Sequence, residues 1–270
     1  VPDAVIFVLT LLAGVVTGVL SGMLGVGGAV ISNPALRALG ATPIESVGST
    51  LPSIIPSAIS GTLRYRREGL LHVHVIRWVG PVGAFASIGG ALLSDMIPGD
   101  GHLLTMTIAV LMGYTAIRIA RRPPAAPPAP EADLEMAVET EGVEHEEVSR
   151  LIVIGVAAGA LSGLLGIGGG LLLVPAFSGW LKIPLKETIA TSLACVAMIA
   201  VPGMITHAVQ GHIDWSFAVP LAIGVVPGAR IGASITIGTS ERRLRLIVAV
   251  ALGGVGVIYA VEEFVALLSS

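Results

Sequence analysis

One apolar segment, broken by glycines, occurs twice in this chain, and that duplication constrains the fold more than any other feature. "GVLSGMLGVGGAVISNPAL" (residues 18–36) returns as "GALSGLLGIGGGLLLVPAF" (residues 159–177), 141 residues further on. In both copies the glycine cluster interrupts an otherwise helical hydrophobic run. Segments broken at matching positions of two halves are the sequence mark of a transporter built from internal repeats, with its substrate site where the broken segments meet.

Composition places those halves in a membrane. Mean hydropathy is +0.90; of 270 residues, 54% are hydrophobic and 12% charged. A soluble globular domain does not look like this. Each of the 35 glycines would cost about 1 kcal/mol inside a water-soluble helix, whereas between membrane helices glycine lets backbones approach closely. A net charge of −3 offers no basic surface for nucleic acid, and the single Cys195 excludes an intrachain disulfide or a CxxC metal site. Neither a cofactor nor a metal is expected. The first apolar run lacks a basic flank and has an internal twin, so it is expected to be a span rather than a cleaved leader.

A helix crosses about 30 Å of hydrocarbon in around 20 residues. Long apolar runs lie at 4–24, 44–63, 73–97, 103–120, 151–165, 185–207, 215–237 and 244–262, and short ones follow each break at 29–39 and 170–181. Between the halves, "RRPPAAPPAPEADLEMAVETEGVEHEEVSR" is proline-rich and then acidic, the composition of a solvated linker. The expected organisation is a first repeat at 1–122, a linker at 123–149 and a second repeat at 150–270.

The repeat extends past the glycines. "PIESVGSTLPSI" aligns with "PLKETIATSLACV" after one inserted residue, pairing Glu45 with Glu187 and Ser53 with Cys195, and "GLLH" then meets "GHID". Loop charges assign orientation. Arg64, Arg66, Arg67 and Arg77 flank one connection of the first half, and the next has no Lys or Arg. In the second half the order reverses: Gln210, His212 and Asp214 come first, then Arg242, Arg243 and Arg245. The halves are therefore expected to be inverted, with the linker cytoplasmic and both termini periplasmic. Odd parity then requires each broken segment to fold back as a helical hairpin. The expected fold class is an all-α polytopic membrane protein with two inverted repeats, each a glycine-broken hairpin plus three long spans. Arg64, Arg66 and Arg67 are expected to orient the chain rather than touch substrate.

A helix that starts inside the membrane presents unpaired N–H groups and a positive dipole end, which together favour an anion. Gly27 and Gly28, with Gly168, Gly169 and Gly170, are expected to open two such ends. The next helix of each half carries hydroxyls at helical spacing: Ser49, Thr50 and Ser53, matched by Thr191, Ser192 and Cys195. Hydroxyls donate to an oxyanion without the cost of a mid-membrane charge; they also bond to their own helix backbone or assist helix packing. Cys195 reads equally as a small apolar residue. Arg230 lies inside a span and offers a fixed cation or a snorkelling side chain. Asn33 follows the first break and has Val174 as its counterpart, so the two halves are not chemically equal. His72 and His74 are expected at lipid headgroups, and His207 at an interface or gate.

Other classes fit poorly. The glycine strings lack the Lys-Ser/Thr of a P-loop and the strand of a dinucleotide fold, no HExxH is present, and no nucleotide domain accompanies the spans. The chain is thus expected to be no enzyme. An anion channel and an anion importer stay open beside an exporter, as does a homodimer beside a monomer.

The duplicated "GxGG" unit with its downstream proline, the hydrophilic linker and "GARIGA" (residues 228–233) resemble the sulfite exporter TauE/SafE family of bacterial membrane proteins. The resemblance covers nearly the whole chain outside the linker. It implies export of a small anion across the inner membrane, such as sulfite, sulfoacetate or another organosulfonate or carboxylate. The first copy departs from the pattern at Ala29 and Asn33.

Overall fold

Residues 3–94, 102–121, 141–166 and 168–269 are described by a computed structural model, and among them the chain forms helices and no strands. Ten helices follow in order: α1 (Asp3–Leu24), α2 (Ala29–Ala38), α3 (Pro43–Arg66), α4 (Val73–Ser94), α5 (His102–Arg121), α6 (Glu141–Leu165), α7 (Gly170–Gly179), α8 (Leu185–Val209), α9 (Trp215–Gly238) and α10 (Glu241–Ser269). Both short pieces after the glycine breaks are helices of 10 residues. Helix α6 begins at Glu141, inside the segment expected as linker; residues 123–140 lie outside the described ones.

Local signals explain the boundaries. Thr42 and Glu45 bond reciprocally as a capping box with Pro43 behind them, which starts α3. Asp214 caps α9 by accepting from the Ser216 N–H. Among the described residues, six helices are long and apolar enough to cross a membrane: Ala4–Leu24, Val73–Leu93, Val148–Leu165, Leu185–Val209, Trp215–Gly238 and Glu241–Val261. Helix α3 is of similar length, 24 residues, but falls outside that set because its hydroxyls dilute its hydropathy. Ser46, Ser49, Thr50, Ser53, Ser57 and Ser60 are nonetheless all buried. Large apolar side chains face outward instead: Phe85 is 78% exposed, and Leu12, Val16, Val250 and Val257 are exposed too. An apolar exterior around hydroxyl-bearing helices suits a hydrocarbon solvent.

Glycine rows decide which helices meet. Gly14, Gly18 and Gly22 set α1 directly on the α9 backbone, with Gly14 opposite Leu221 and Gly224, and Gly22 opposite Ala229 and Ala233. Gly155, Gly159 and Gly163 do the same for α6 on α4, from Val79 to Ala91. A Cβ at Gly14 would stand 2.7 Å from the Leu221 carbonyl oxygen, so these are small-residue contacts of the kind that drive membrane-helix association. In each pair the helices run in the same direction. Helix α3 runs along α9 in that direction as well, through Ser49–Asp214, Ser60–Val226 and Arg64–Ser234. Helix α8 likewise follows α4, through Thr191–His72 and Ile199–Ser87.

Helices α3 and α8 run opposite to one another. The loop that follows α8 packs on the beginning of α3, where His212 meets Gly48, and the loop that follows α3 bonds the beginning of α8. Helices α1, α3 and α9 therefore share one direction and α4, α6 and α8 the other. Each half contributes helices to both groups, so the halves are interlocked. Helices α5 and α10 pack together through Gly256 against Met112 and Ala109.

Candidate functional site

At both breaks the chain turns in the left-handed region, which favours glycine. Gly28 has φ 91° and Gly169 φ 70°, and each is the N-cap of its short helix without a side-chain cap. Helix α2 doubles back along α1, placing Gly28 against Thr17 and Ser21; α7 doubles back along α6, placing Gly169 against Ala158 and Ser162. The two breaks also touch. A Cβ on Gly170 would lie 2.5 Å from the Gly25 carbonyl oxygen and 2.6 Å from the Val26 Cα. That contact explains the extra glycine of the second copy. Gly168 reaches Ile54 of α3 and Val196 of α8, where those two helices meet between the breaks.

The hydroxyls divide into two sets. A hydroxyl has a single proton to donate. Ser192 donates it to the Gly25 carbonyl at 2.8 Å, tying α8 to the first break. Thr50 donates to the Val47 carbonyl and Ser53 to the Thr50 carbonyl, both within α3. To serve an anion, these three would have to exchange a bond. Ser49 and Thr191 differ. The Ser49 Oγ accepts from the Asp214 N–H at 2.8 Å, and the Thr191 Oγ1 accepts from the His72 N–H at 3.1 Å. Their own protons meet no acceptor among the described residues. Equivalent positions of the two halves therefore make equivalent bonds, each to the residue that precedes α9 or α4. Because α3 and α8 are antiparallel, the two hydroxyls sit toward opposite ends of the molecule.

Of the remaining expected residues, Asn33 and Cys195 are buried, and the Asn33 Oδ1 is without a hydrogen-bond partner among the described residues. Arg230 does not join the glycine breaks. It is exposed on α9 and lines a cavity of about 410 Å³ together with Ser60, Leu63, Arg64, Arg66 and Arg67.

Two features were not read from the sequence. His72 Nε2 lies 2.6 Å from a Glu187 carboxylate oxygen, so the two side chains are hydrogen-bonded. The repeat alignment held the signal, since it sets His72 against Asp214 and Glu45 against Glu187. His207 is fully buried, its Nδ1 3.2 Å from His212 Nδ1 and its Nε2 3.2 Å from the Gly163 carbonyl. A neutral His207 satisfies both contacts by donating from Nε2 and accepting at Nδ1.

The sequence as a whole is similar to known proteins. The family model for "Sulfite exporter TauE/SafE" matches residues 10–259. "Probable membrane transporter protein YdhB" of Bacillus subtilis is 29% identical over 81% of this chain and 86% of its own. "Probable membrane transporter protein YunE" of the same organism is 25% identical over 91% of this chain and 94% of its own. A "Probable membrane transporter protein" of Xylella fastidiosa is 27% identical over 83% of both chains. No solved structure matches. With a family match across nearly its whole length, and with apolar helices folded around paired glycine breaks, this chain belongs to the sulfite exporter TauE/SafE family of membrane proteins.

Proposed function

We propose that the chain is a secondary transporter exporting a small anion, a sulfonate, sulfite or carboxylate, across the bacterial inner membrane by alternating access. The observation that carries this reading is the meeting of the two glycine breaks. Each break starts a helix with an uncapped, glycine-lined N-terminus inside the membrane-embedded body. Such ends attract negative charge through unpaired N–H groups and the helix dipole. Gly27, Gly28, Gly168, Gly169 and Gly170 would hold the anion, with Thr50, Ser53, Ser192, Cys195 and Asn33 around it. Ser49 and Thr191 would meet it on the way in and out.

The two halves are read as inverted repeats. Helices α1 and α6, α3 and α8, and α4 and α9 are counterparts in the repeat and run in opposite directions, which supports that reading. With α3 and α5 counted as spans, the arginine-rich end and the linker are cytoplasmic and both termini periplasmic. Antiparallel α3 and α8, packed together with a glycine break against each, would allow a second arrangement related to this one by exchange of the two halves' roles. Exchange between them would open the site to either side in turn.

Purified protein reconstituted in liposomes loaded with labelled sulfite or sulfoacetate tests this. Efflux should saturate and should accelerate when unlabelled anion is supplied outside. Asn33→Ala, at a residue placed around the bound anion, should weaken the anion's stabilisation of the protein by about 1–2 kcal/mol, the cost of one lost bond to a charged partner. Conductance that neither saturates nor exchanges would make the protein a channel. If none of these anions is moved, the substrate assignment fails.

A further inference from the structure

Arg230 looked like a lone intramembrane cation in the sequence, and Arg64, Arg66 and Arg67 like orientation signals. Folding brings all four to one cavity of about 410 Å³, within the range of small-molecule sites. The convergence has a simple cause. On α9, Val226, Arg230 and Ser234 recur every four residues and so share one helix face. That face is turned to α3: the Ser60 hydroxyl donates to the Val226 carbonyl at 2.9 Å, and the Arg64 Nε donates to the Ser234 Oγ at 3.3 Å. Arg230 is therefore aimed at the last turns of α3, which bring Arg64 and Arg66, with Arg67 as the C-cap.

These charges are poorly compensated. Arg64 pairs with Glu68 at 2.6 Å. Arg66, Arg67 and Arg230 meet no carboxylate or other hydrogen-bond acceptor among the described residues. Like charges that line one pocket repel, and an oxyanion among them converts that repulsion into attraction. Guanidinium suits the task better than ammonium because its parallel N–H pairs match the oxygens of a sulfonate or phosphate. The other walls, Ser60 and Leu63, carry no charge. The site is thus a half-open bowl lined by four arginines with Ser60 and Leu63.

We propose that the cavity walled by Arg64, Arg66, Arg67 and Arg230 is a second anion site, separate from the glycine breaks, that binds a tetrahedral oxyanion. Two sources share this chemistry: a soluble sulfonate or phosphate, and the phosphate of a lipid headgroup. As a station where a transported anion gathers before entry, the site rests on the transport reading; as an oxyanion site it does not.

The test uses the full chain purified in an uncharged detergent, with thermal unfolding followed against sodium sulfate and, separately, against short-chain phosphatidylglycerol. Sodium chloride at matched ionic strength is the reference. Wild type should be stabilised saturably by sulfate beyond the chloride reference, by the lipid, or by both. Response to sulfate alone identifies a soluble anion, and response to the lipid at far lower concentration identifies a headgroup. Arg230→Gln and the double variant Arg66→Gln/Arg67→Gln should weaken the response about tenfold or more, as expected for lost charge-assisted bonds. Leu63→Trp, which fills the bowl without altering charge, should weaken it similarly. Arg242→Gln, at an exposed arginine outside the cavity, should respond as wild type does. If Arg230→Gln and Leu63→Trp bind both probes as tightly as wild type, the site does not exist. Flux in the same variants separates the two assignments: binding lost with efflux intact leaves transport standing without the station. Binding intact in a protein that moves no anion leaves the oxyanion site standing and removes the transport reading.

Discussion

Gly170 and Ser192 hold the two halves together at the first break, one through the absence of a side chain and the other through a donated proton. Gly170 has no space for a Cβ against the Gly25 carbonyl and the Val26 backbone. Gly170→Ala should lower stability by about 1–3 kcal/mol, since a backbone contact cannot yield as a side chain can. Ser192→Ala leaves the Gly25 carbonyl without its donor and should cost about 1 kcal/mol. Gly89, exposed on α4 with nothing within 4 Å of an added Cβ, is the reference, and Gly89→Ala should lose nothing. Thermal midpoints of the three variants in one detergent check the order. A Gly170→Ala protein as stable as Gly89→Ala would show that the breaks are not in contact.

At the scale of helices, the glycine rows of α1 and α6 perform the same task in the two halves. Each lets its helix lie directly on the third long helix of the other half, α9 or α4. Bulk at either row should therefore have the same consequence. Gly18→Leu and Gly159→Leu are expected to prevent the paired packing and to yield aggregated protein on size-exclusion chromatography. Gly113→Leu, with nothing within 4 Å on α5, should remain monodisperse. Helix α3 shows how such packing alters what a segment needs to be. Lipid would penalise its hydroxyl stripe, but α8 and α9 cover it, and Ser57, Ser60 and Tyr65 bond across to Ser21, Val226 and Gly22.

For the whole molecule, opposed helix directions carry an orientation that labelling can read. With buried Cys195 replaced by serine, a cysteine at Gly211 should react with an impermeant thiol reagent in intact cells, and one at Ala125 should not. Gly211 lies beside α3's beginning, the end opposite Arg64 to Arg67, and Ala125 in the segment between the halves. The reverse labelling would turn the protein over and make the arginine cavity periplasmic.

The sequence alone determined the helical class and the positions of the glycine turns, because each depends on local composition: apolar length, and glycine in left-handed turns. It could also name hydroxyls by spacing, since α-helical periodicity puts them on one face. Only the tertiary structure decided what those groups touch. Ser49 and Thr191 are neighbours of Thr50 and Ser192 in the chain, yet antiparallel packing of α3 and α8 sends them to opposite ends, each holding a loop of the other half. Arg230 was legible as a cation inside a span and Arg64 to Arg67 as a loop cluster. Their meeting is set by the register of α3 on α9, and that register depends on contacts between residues some 170 positions apart, such as Arg64 and Ser234. Local physics chooses the elements; long-range packing chooses their partners.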